Sequence, residues 1–177
     1  MLAPETLAAT VRRLKRGPIV GGGAGTPVRL AGDALDRLLA HRPPMRLLDG
    51  VDVVDLPAAA VRGHRTLAPD DLGFAGHFPG APVYPGVLTV EAIGQLALTL
   101  VHFAGRGTAR VPDDVVPPAV RATHIHHAAF LAPFRPGDVM TLHAQVVAHD
   151  MTMVAAGQAW NGDVLAAIAV AEVYVDA

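Results

Sequence analysis

Residues 73–95 read GFAGHFPGAPVYPGVLTVEAIGQ, a mostly apolar stretch that holds a single histidine, His77, and a single glutamate, Glu91. From there to about residue 105, apolar side chains recur every three to five positions, at Leu88, Ile93, Leu96, Leu100 and Phe103. This spacing predicts one long helix that is apolar nearly all round, so we expect it to be buried. Pro85 suits the first turn of such a helix, and Gly105 suits its end.

Strand-like segments lie on both sides of this helix in the sequence. They are short, largely apolar runs, separated by turn residues such as RPGD (135–138) and NGD (161–163). The predicted strands are 45–56, 59–68, 119–131, 138–148, 151–160 and 164–175. Because these strands enclose one buried helix, we predict an α+β fold in which an antiparallel sheet wraps around a long central helix.

The first part of the chain has a different composition from the rest. Residues 1–16 predict a short helix with a basic end, and the Gly-rich segment 17–28 predicts a linker. We therefore divide the chain into an N-terminal extension, 1–32, and a domain over 33–177 whose first short helix has Asp33 as its N-cap. The extension is interpreted as a mobile tail, with a tether or a contact for an acidic partner as alternatives. A phosphate-binding loop is disfavoured, because GGGAG lacks the required spacing.

Composition excludes several classes of function. The 177 residues are 51% hydrophobic and 17% charged, which is enough to bury a large core in one domain. There is no cysteine, so disulfides, thiol catalysis and thiolate metal sites are excluded. The net charge of −2 gives no indication of nucleic-acid binding. We find neither a secretory signal nor a membrane span and expect a soluble, cytoplasmic protein.

Glu91 requires an explanation, because a carboxylate on a buried helix costs several kcal/mol unless it is paired or hydrogen-bonded. Gln95 lies four residues later on the same helical face and is placed to donate a hydrogen bond to it. The alternative is that Glu91 lies on an exposed stripe of the helix. The apolar neighbours Val90, Ala92 and Ile93 favour the buried position.

His77 lies in a segment whose glycines and prolines predict a stiff, irregular path without regular secondary structure. This path leads directly into the N-terminus of the helix. The backbone N–H groups of Gly86 and Val87 are expected to be free there and able to bind a developing negative charge. One short segment thus supplies a base, a set of amide donors and a carboxylate.

Three stretches carry a family resemblance. The stretch GHFPGAPVYPGVLTVEAIGQ (76–95) resembles the active-site motif of the β-hydroxyacyl-acyl-carrier-protein dehydratases of the FabZ type, which have the hotdog fold. AHRPPMRLLDGV (40–51) resembles the first motif of that family, and AAFLAPFRPGDVM (128–140) resembles a later strand and turn. The resemblance covers roughly residues 33–177.

The resemblance implies roles for individual residues. His77 matches the catalytic histidine of the family and Glu91 its catalytic glutamate. Gly86 matches the glycine whose backbone N–H holds the thioester carbonyl of the substrate. Val83 matches the residue whose carbonyl orients the histidine. Gln95 matches the glutamine one turn after the acid, and we place it, with Val87, among the substrate-binding residues.

The resemblance also implies the reaction and its partners. A 3-hydroxyacyl chain, carried on the phosphopantetheine arm of acyl carrier protein, would lose water to give a trans-2-enoyl chain, with no metal or redox cofactor. The family forms dimers in which the histidine comes from one protomer and the glutamate from the other. We therefore expect a homodimer, or a heterodimer with another hotdog subunit, and a trimer of dimers as the larger assembly.

The sequence departs from the family pattern at Pro43, Met45, Tyr84 and Gly94, all of which we expect near the acyl tunnel or its gate. These departures leave both housekeeping fatty-acid synthesis and a specialised polyketide, polyene or modified-lipid pathway open. Glu91 argues against double-bond isomerisation, because the isomerising relatives usually have aspartate at that position. A hotdog thioesterase and a non-catalytic acyl-binding protein are the alternative functions.

Other polar residues lie outside the central motif. The segment THIHH places His124 and His126 on one face of a strand, where they are interpreted as a polar face rather than as zinc ligands. His41 is interpreted as ordering the edge of the domain. A basic rim that would meet an acidic carrier protein is expected among Arg42, Arg46, Arg106, Arg110, Arg121 and Arg135.

Overall fold

The structure is a computed structural model that describes residues 3–149 and 152–175. The described part of the chain begins with helix α1 and ends with strand β7. The elements are α1 (Pro4–Leu14), β1 (Thr26–Ala31), α2 (Asp33–Leu38), β2 (Gly50–Asp55), β3 (Ala60–Thr66), α3 (Gly86–Arg106), β4 (Val120–Phe130), β5 (Val139–His149), β6 (Thr152–Asn161) and β7 (Val164–Val175).

The strands form one antiparallel sheet in the order β1-β2-β3-β5-β6-β7-β4. Helix α3 packs against β3, β5, β6 and β7, and its buried face forms the main core with the inner face of the sheet. This is the predicted arrangement of an antiparallel sheet around a long central helix. Strand β4 lies at one edge of the sheet and pairs only with β7 among the described strands.

Two glycines allow α3 to lie directly on the sheet. A Cβ atom at Gly157 of β6 would lie 2.2 Å from Cγ2 of Ile93. A Cβ atom at Gly63 of β3 would lie 2.9 Å from Cδ1 of Leu96. Real Cβ atoms do not come this close, so any larger residue at these positions would push the helix away from the sheet. The two glycines thus fix the depth at which the helix lies.

Helix α3 is long and apolar enough, by length and composition alone, to cross a membrane. In the fold, however, 67% of the most apolar stretch of this helix is buried, as expected for the core helix of a globular domain. One stripe of the helix is less buried than the rest. It contains Val87, Glu91, Gly94 and Val101.

The N-terminal extension is docked on the sheet, which differs from the expected mobile tail. Helix α1 packs on the outer face of β6 and β7, where Leu14 is only 1% exposed. The fully buried Gln158 side chain donates to the carbonyl oxygens of Leu14 (2.6 Å) and Gly17 (2.8 Å) and accepts from the N–H of Ile19 (2.8 Å). The predicted linker over 17–28 runs into β1, which pairs with β2.

Helix ends also differ in detail from the sequence-based expectation. Asp33 is the first residue of α2 rather than its cap, since Gly32 occupies the cap position and no side chain caps this helix end. Pro85 is the N-cap of α3 instead of its first residue. The helix continues through Gly105 and stops at Gly107, whose φ of 61° lies in the left-handed region that favours glycine.

Candidate active site

His77 is held by the backbone of the loop before α3. Its Nδ1 lies 2.8 Å from the carbonyl oxygen of Val83, and the N–H of Val83 donates back to the carbonyl oxygen of His77 at 2.9 Å. The carbonyl can only accept, so Nδ1 carries the hydrogen and Nε2 carries the lone pair. The ring of Phe78 stacks on the imidazole with a centroid distance of 4.3 Å. The ring is therefore fixed, and in its neutral form Nε2 is the basic nitrogen that remains available.

The N-terminus of α3 begins immediately after this loop. The carbonyl oxygen of Pro85 accepts the first helical hydrogen bonds, from Leu88 (3.0 Å) and Thr89 (3.2 Å). The N–H groups of Gly86 and Val87 precede these, so they have no partner within the helix, and no side chain caps this end. Their dipoles and that of the helix point toward the space in front of Gly86.

Gly86 allows an aromatic ring to lie against the backbone at this point. A Cβ atom there would lie 2.7 Å from Cδ1 and Cε1 of Phe130, which belongs to the edge strand β4. Phe130 was assigned to a strand by the sequence, but nothing in its local pattern indicated that it covers the helix N-terminus. The two residues bring the start of α3 and the end of β4 together.

A cleft of about 450 Å³ opens in front of these groups. Four of the predicted site residues line it together: His77, Val83, Gly86 and Val87. The opposite wall is mainly apolar and comes from the segment 130–134 and from Ala166 and Ala167. The cleft thus combines a base, free amides and an apolar wall, which is the arrangement needed to hold an acyl chain beside a proton acceptor.

Glu91 is placed differently from the other predicted residues. It is absent from the described residues that line this cleft. Its side chain is 40% exposed, so the expectation of a buried carboxylate is wrong for the single chain, and the exposed-stripe alternative applies. Gln95 Nε2 donates to Glu91 Oε1 at 2.8 Å, the contact that the helical spacing predicted.

Gln95 is almost completely buried, at 1% exposed, and joins Glu91 to the loop before β2. Its Nε2 also donates to the carbonyl oxygen of Met45 (2.8 Å), and its Oε1 accepts from the N–H of Leu47 (2.7 Å). Both hydrogens of the amide are used in these contacts. This differs from the predicted substrate contact, because Gln95 has no donor left for a ligand and instead orients the acid.

His41 is a neighbour of Glu91 that the sequence interpretation placed only at the edge of the domain. Its Nε2 lies 3.4 Å from Glu91 Oε1. The two residues are far apart in the sequence, and no helical or strand spacing links them. The only available signal was that His41 stands beside Arg42 in a short polar pair within the first family motif.

Comparison with known families places this geometry in context. A family profile described as FabA-like domain matches residues 39–170, which is most of the chain. The chain belongs to the FabA-like family. The prediction of family membership from the three sequence motifs is confirmed.

Two relatives of this FabA-like chain carry the same protein name. A protein from Anaeromyxobacter sp. (strain Fw109-5) is 38% identical over 116 residues, covering 65% of this chain and 70% of the relative. A protein from Chlamydia trachomatis serovar L2 is 36% identical over 111 residues, covering 63% and 69%. Both are named 3-hydroxyacyl-[acyl-carrier-protein] dehydratase FabZ.

Solved structures of similar shape have low sequence identity. The dehydratase heterocomplex ApeI:P from Xenorhabdus doucetiae matches with a TM-score of 0.62 at 17% identity, covering 81% of this chain and 91% of that one. The PaaI protein of the E. coli phenylacetic acid degradation operon matches with a TM-score of 0.52 at 17% identity, covering 72% and 78%. At these identities the similarity concerns the fold alone, and the predicted α+β hotdog fold is confirmed.

Tyr84, one of the departures from the family pattern, forms part of the cleft wall of this FabA-like domain. It is 3% exposed and meets Phe74 edge-on, with ring centroids 5.5 Å apart. Burial raises the pKa of its hydroxyl, and the nearby Arg65 guanidinium partly opposes that shift. The ring therefore stays neutral and acts as a bulky wall beside the base.

Two histidines of β4, His124 and His126, lie on a polar patch on the outer face of the sheet. His126 Nε2 is 2.8 Å from Glu172 Oε2, and Thr152 Oγ1 donates to Glu172 Oε1 at 2.8 Å. The hydrogen bonds from Thr152 and then from His126 lower the pKa of the Glu172 carboxyl. His124 stacks on His126, with centroids 5.6 Å apart. This arrangement agrees with the polar-face interpretation of the segment.

Proposed function

We propose that this FabA-like chain is a 3-hydroxyacyl-[acyl-carrier-protein] dehydratase, which converts a 3-hydroxyacyl thioester into the trans-2-enoyl thioester and water. The observation that carries the proposal is the placement of His77 Nε2 beside the free amides of Gly86 and Val87 in one cleft. The FabZ relatives support the same reaction.

The first half of the reaction uses the groups of this cleft. His77 Nε2 takes the C2 proton of the acyl chain, and the electrons of the C2–H bond move toward C1 and C3. Negative charge grows on the thioester oxygen. The Gly86 N–H and the positive end of the α3 dipole stabilise this charge, since both are preorganised and need no rearrangement during the step.

The second half needs an acid. The C3–O bond breaks as the C2=C3 double bond forms, and hydroxide is a poor leaving group unless it is protonated in the same step. Glu91 supplies that proton, directly or through a water, so that water leaves. The proton on His77 then returns to Glu91, and the pair is ready for the next substrate. No metal or redox group takes part in the proposed steps.

Assembly of two subunits completes the proposed site. His77 lines the cleft of one chain, and Glu91 lies on a partly exposed stripe of α3 that also carries Val87, 70% exposed. Strand β4 offers a long edge with Ile125 63% exposed and Phe130 56% exposed, which is the kind of edge that a second strand covers. A dimer that continues the sheet through β4 would bury the stripe.

The partner is a second copy of this chain or another hotdog subunit, and three such dimers form the proposed hexamer. In the homodimer His77 of one subunit meets Glu91 of the other, and in the heterodimer it meets the corresponding glutamate of the other hotdog subunit. The substrate arrives on the phosphopantetheine arm of acyl carrier protein in the cytoplasm. Among the candidate arginines, Arg135 directly follows Phe134 in the cleft wall and is exposed, so it is the first choice for a contact with the acidic carrier.

The direct test is mass spectrometry of 3-hydroxyacyl chains of increasing length, loaded on carrier protein and incubated with the wild type, His77→Ala and Glu91→Gln. We expect loss of one water with the wild type and none with either variant. His64→Gln is the matched control, because His64 lies outside the cleft and contacts Asp52. Release of a free acid would indicate a thioesterase instead, and no turnover of any chain would indicate a binding protein.

A further inference from the structure

We propose that His41 is a positioning residue for the acid of this reaction. In this arrangement His41 and Gln95 both hold Oε1 of Glu91, so the proton that the leaving hydroxyl takes up resides on Oε2. The inference rests on the proposed dehydration and adds to it a side chain from the loop that precedes β2. It also assigns different functions to the two oxygens of the acid.

The loop that carries His41 is fixed by a side chain of its own. Arg42 Nη1 donates to the carbonyl oxygens of Leu39 (2.7 Å) and His41 (2.9 Å), and Arg42 Nη2 donates to that of Asp36 (3.0 Å). These bonds hold the backbone at His41 against the end of α2. They also engage Arg42 within the loop, although 53% of its side chain remains exposed.

The same loop is tied to α3 beside Glu91. Gln95 accepts from Leu47 N–H and donates to Met45 O, so its amide is held from both sides before it reaches Glu91. The imidazole of His41 and the amide of Gln95 therefore approach the carboxylate from a rigid loop and from the adjacent helical turn.

The tautomer of His41 follows from its surroundings. Its Nδ1 is buried and has no hydrogen-bond partner among the described residues. A buried N–H without an acceptor is rarer and more costly than a buried lone pair without a donor. The hydrogen of the neutral ring is therefore on Nε2, the atom that lies 3.4 Å from Glu91 Oε1.

Two nitrogens then lie near one oxygen. Gln95 Nε2 donates to Glu91 Oε1 at 2.8 Å, and His41 Nε2 lies 3.4 Å from the same atom, a contact that is not yet a formed hydrogen bond. An oxygen that accepts from two donors is the poorer site for a proton, so the acidic hydrogen is on Oε2. Within the described part of the chain, Oε2 has no hydrogen-bond partner and is left for the substrate. The 3.4 Å contact is expected to shorten when substrate excludes water.

Three substitutions at His41 test this with 3-hydroxyacyl chains on carrier protein. In His41→Gln the side-chain amide nitrogen reaches about as far as Nε2 of histidine, whereas in His41→Asn it reaches only as far as Nδ1. His41→Ala removes the donor altogether. His64→Gln is the control for loss of a histidine elsewhere. The measurements are kcat and KM for each variant and the thermal unfolding curve.

We expect His41→Asn and His41→Ala to lower kcat by about tenfold to a hundredfold with KM unchanged, since a misplaced acid matters only in the transition state. His41→Gln should retain most of the wild-type kcat, and all three variants should unfold at the temperature of the wild type. A kcat equal to that of the wild type in all three variants would overturn the role of His41. An equal loss of kcat in all three variants, together with a reduced melting temperature, would overturn it as well. Absence of dehydration by the wild type would instead overturn the proposed function, and this inference with it.

Discussion

His77 and Val83 are joined by two hydrogen bonds that run in opposite directions. The imidazole Nδ1 lies 2.8 Å from the Val83 carbonyl oxygen, and the Val83 N–H lies 2.9 Å from the His77 carbonyl oxygen. The backbone thus fixes both the orientation of the ring and the hydrogen on Nδ1. The lone pair of Nε2 remains available on the side of the cleft. A base held in this way needs no carboxylate partner to set its tautomer.

Replacement of this base should abolish most of the activity. A positioned general base contributes about a hundredfold to ten-thousandfold to a rate, so His77→Ala is expected to lower kcat by about a thousandfold. The fold should be preserved, since the His77 side chain is only partly buried. Steady-state kinetics and circular dichroism check both points. A His77→Ala variant that dehydrates substrate as fast as His64→Ala would contradict the assignment.

Gly86 is expected to tolerate no side chain. In Gly86→Ala the new methyl would lie 2.7 Å from the Phe130 ring, so either the start of the helix or the ring must move. The backbone N–H of residue 86 is then displaced from the position where it meets the thioester oxygen. Because a misplaced oxyanion donor costs about a hundredfold to a thousandfold in kcat, we expect a loss of about a hundredfold. The double variant Gly86→Ala/Phe130→Ala should recover activity relative to Gly86→Ala. Full activity of the single variant, or no recovery in the double variant, would argue against this packing.

The proposed division of the site between two subunits predicts complementation. His77→Ala and Glu91→Gln are each expected to be inactive as homodimers. When the two are unfolded, mixed in equal amounts and refolded, half of the dimers contain one chain of each kind, and one of their two sites is intact. Recovery to about a quarter of the wild-type activity is therefore expected for a two-fold symmetric dimer. Mixed dimers without activity, identified by native mass spectrometry, would place both residues of each site in the same chain.

The sequence was informative where local patterns decide the structure. The length and apolarity of α3, the turns RPGD and NGD and the spacing of Glu91 and Gln95 were sufficient to predict the helix, most strands and one hydrogen bond of the site. The exposure of Glu91 was not predictable, because an apolar stripe that faces a second subunit has the same pattern as one that faces the core.

Contacts between distant segments were also beyond local patterns. The docking of the extension depends on Gln158, which meets residues 139 to 144 positions away. The contact between His41 and Glu91 likewise depends on how a loop folds over a helix. In both cases a polar side chain in an apolar stretch was the visible feature, and its partners became apparent only in three dimensions.

Stability should fall at mildly acidic pH because of His143. Burial, and then the charge of Arg62, lower the pKa of this histidine from 6.5 to about 4 in the folded chain. Between these values the unfolded chain binds a proton that the folded chain does not, so acid favours unfolding. This group alone costs about 3 kcal/mol by pH 4 relative to pH 7.

Urea denaturation at several pH values between 4 and 7 measures this effect. His143 Nδ1 accepts a hydrogen bond from the N–H of Val20 at 3.2 Å, and the side-chain oxygen of His143→Asn keeps an acceptor at that position but cannot titrate. The free energy of unfolding of this variant should depend less on pH than that of the wild type. Identical pH dependence in the two proteins would show that His143 is not held neutral in the fold.

Gln158 is expected to be the side chain that secures the N-terminal extension. It is fully buried, and Gln158→Leu would leave the carbonyl oxygens of Leu14 and Gly17 and the N–H of Ile19 without their partner. Buried polar groups that lose a partner cost about 1–3 kcal/mol each unless water reaches them. We therefore expect a loss of about 2–4 kcal/mol in the free energy of unfolding, together with faster amide hydrogen exchange in α1. Asn161→Leu is the control, because Asn161 lies on the same strand, is only half-buried and donates to Asp138 instead of to the extension. If both variants lose equal stability and the exchange of α1 is unchanged, the extension is held by the apolar contacts of Leu14 and its neighbours instead.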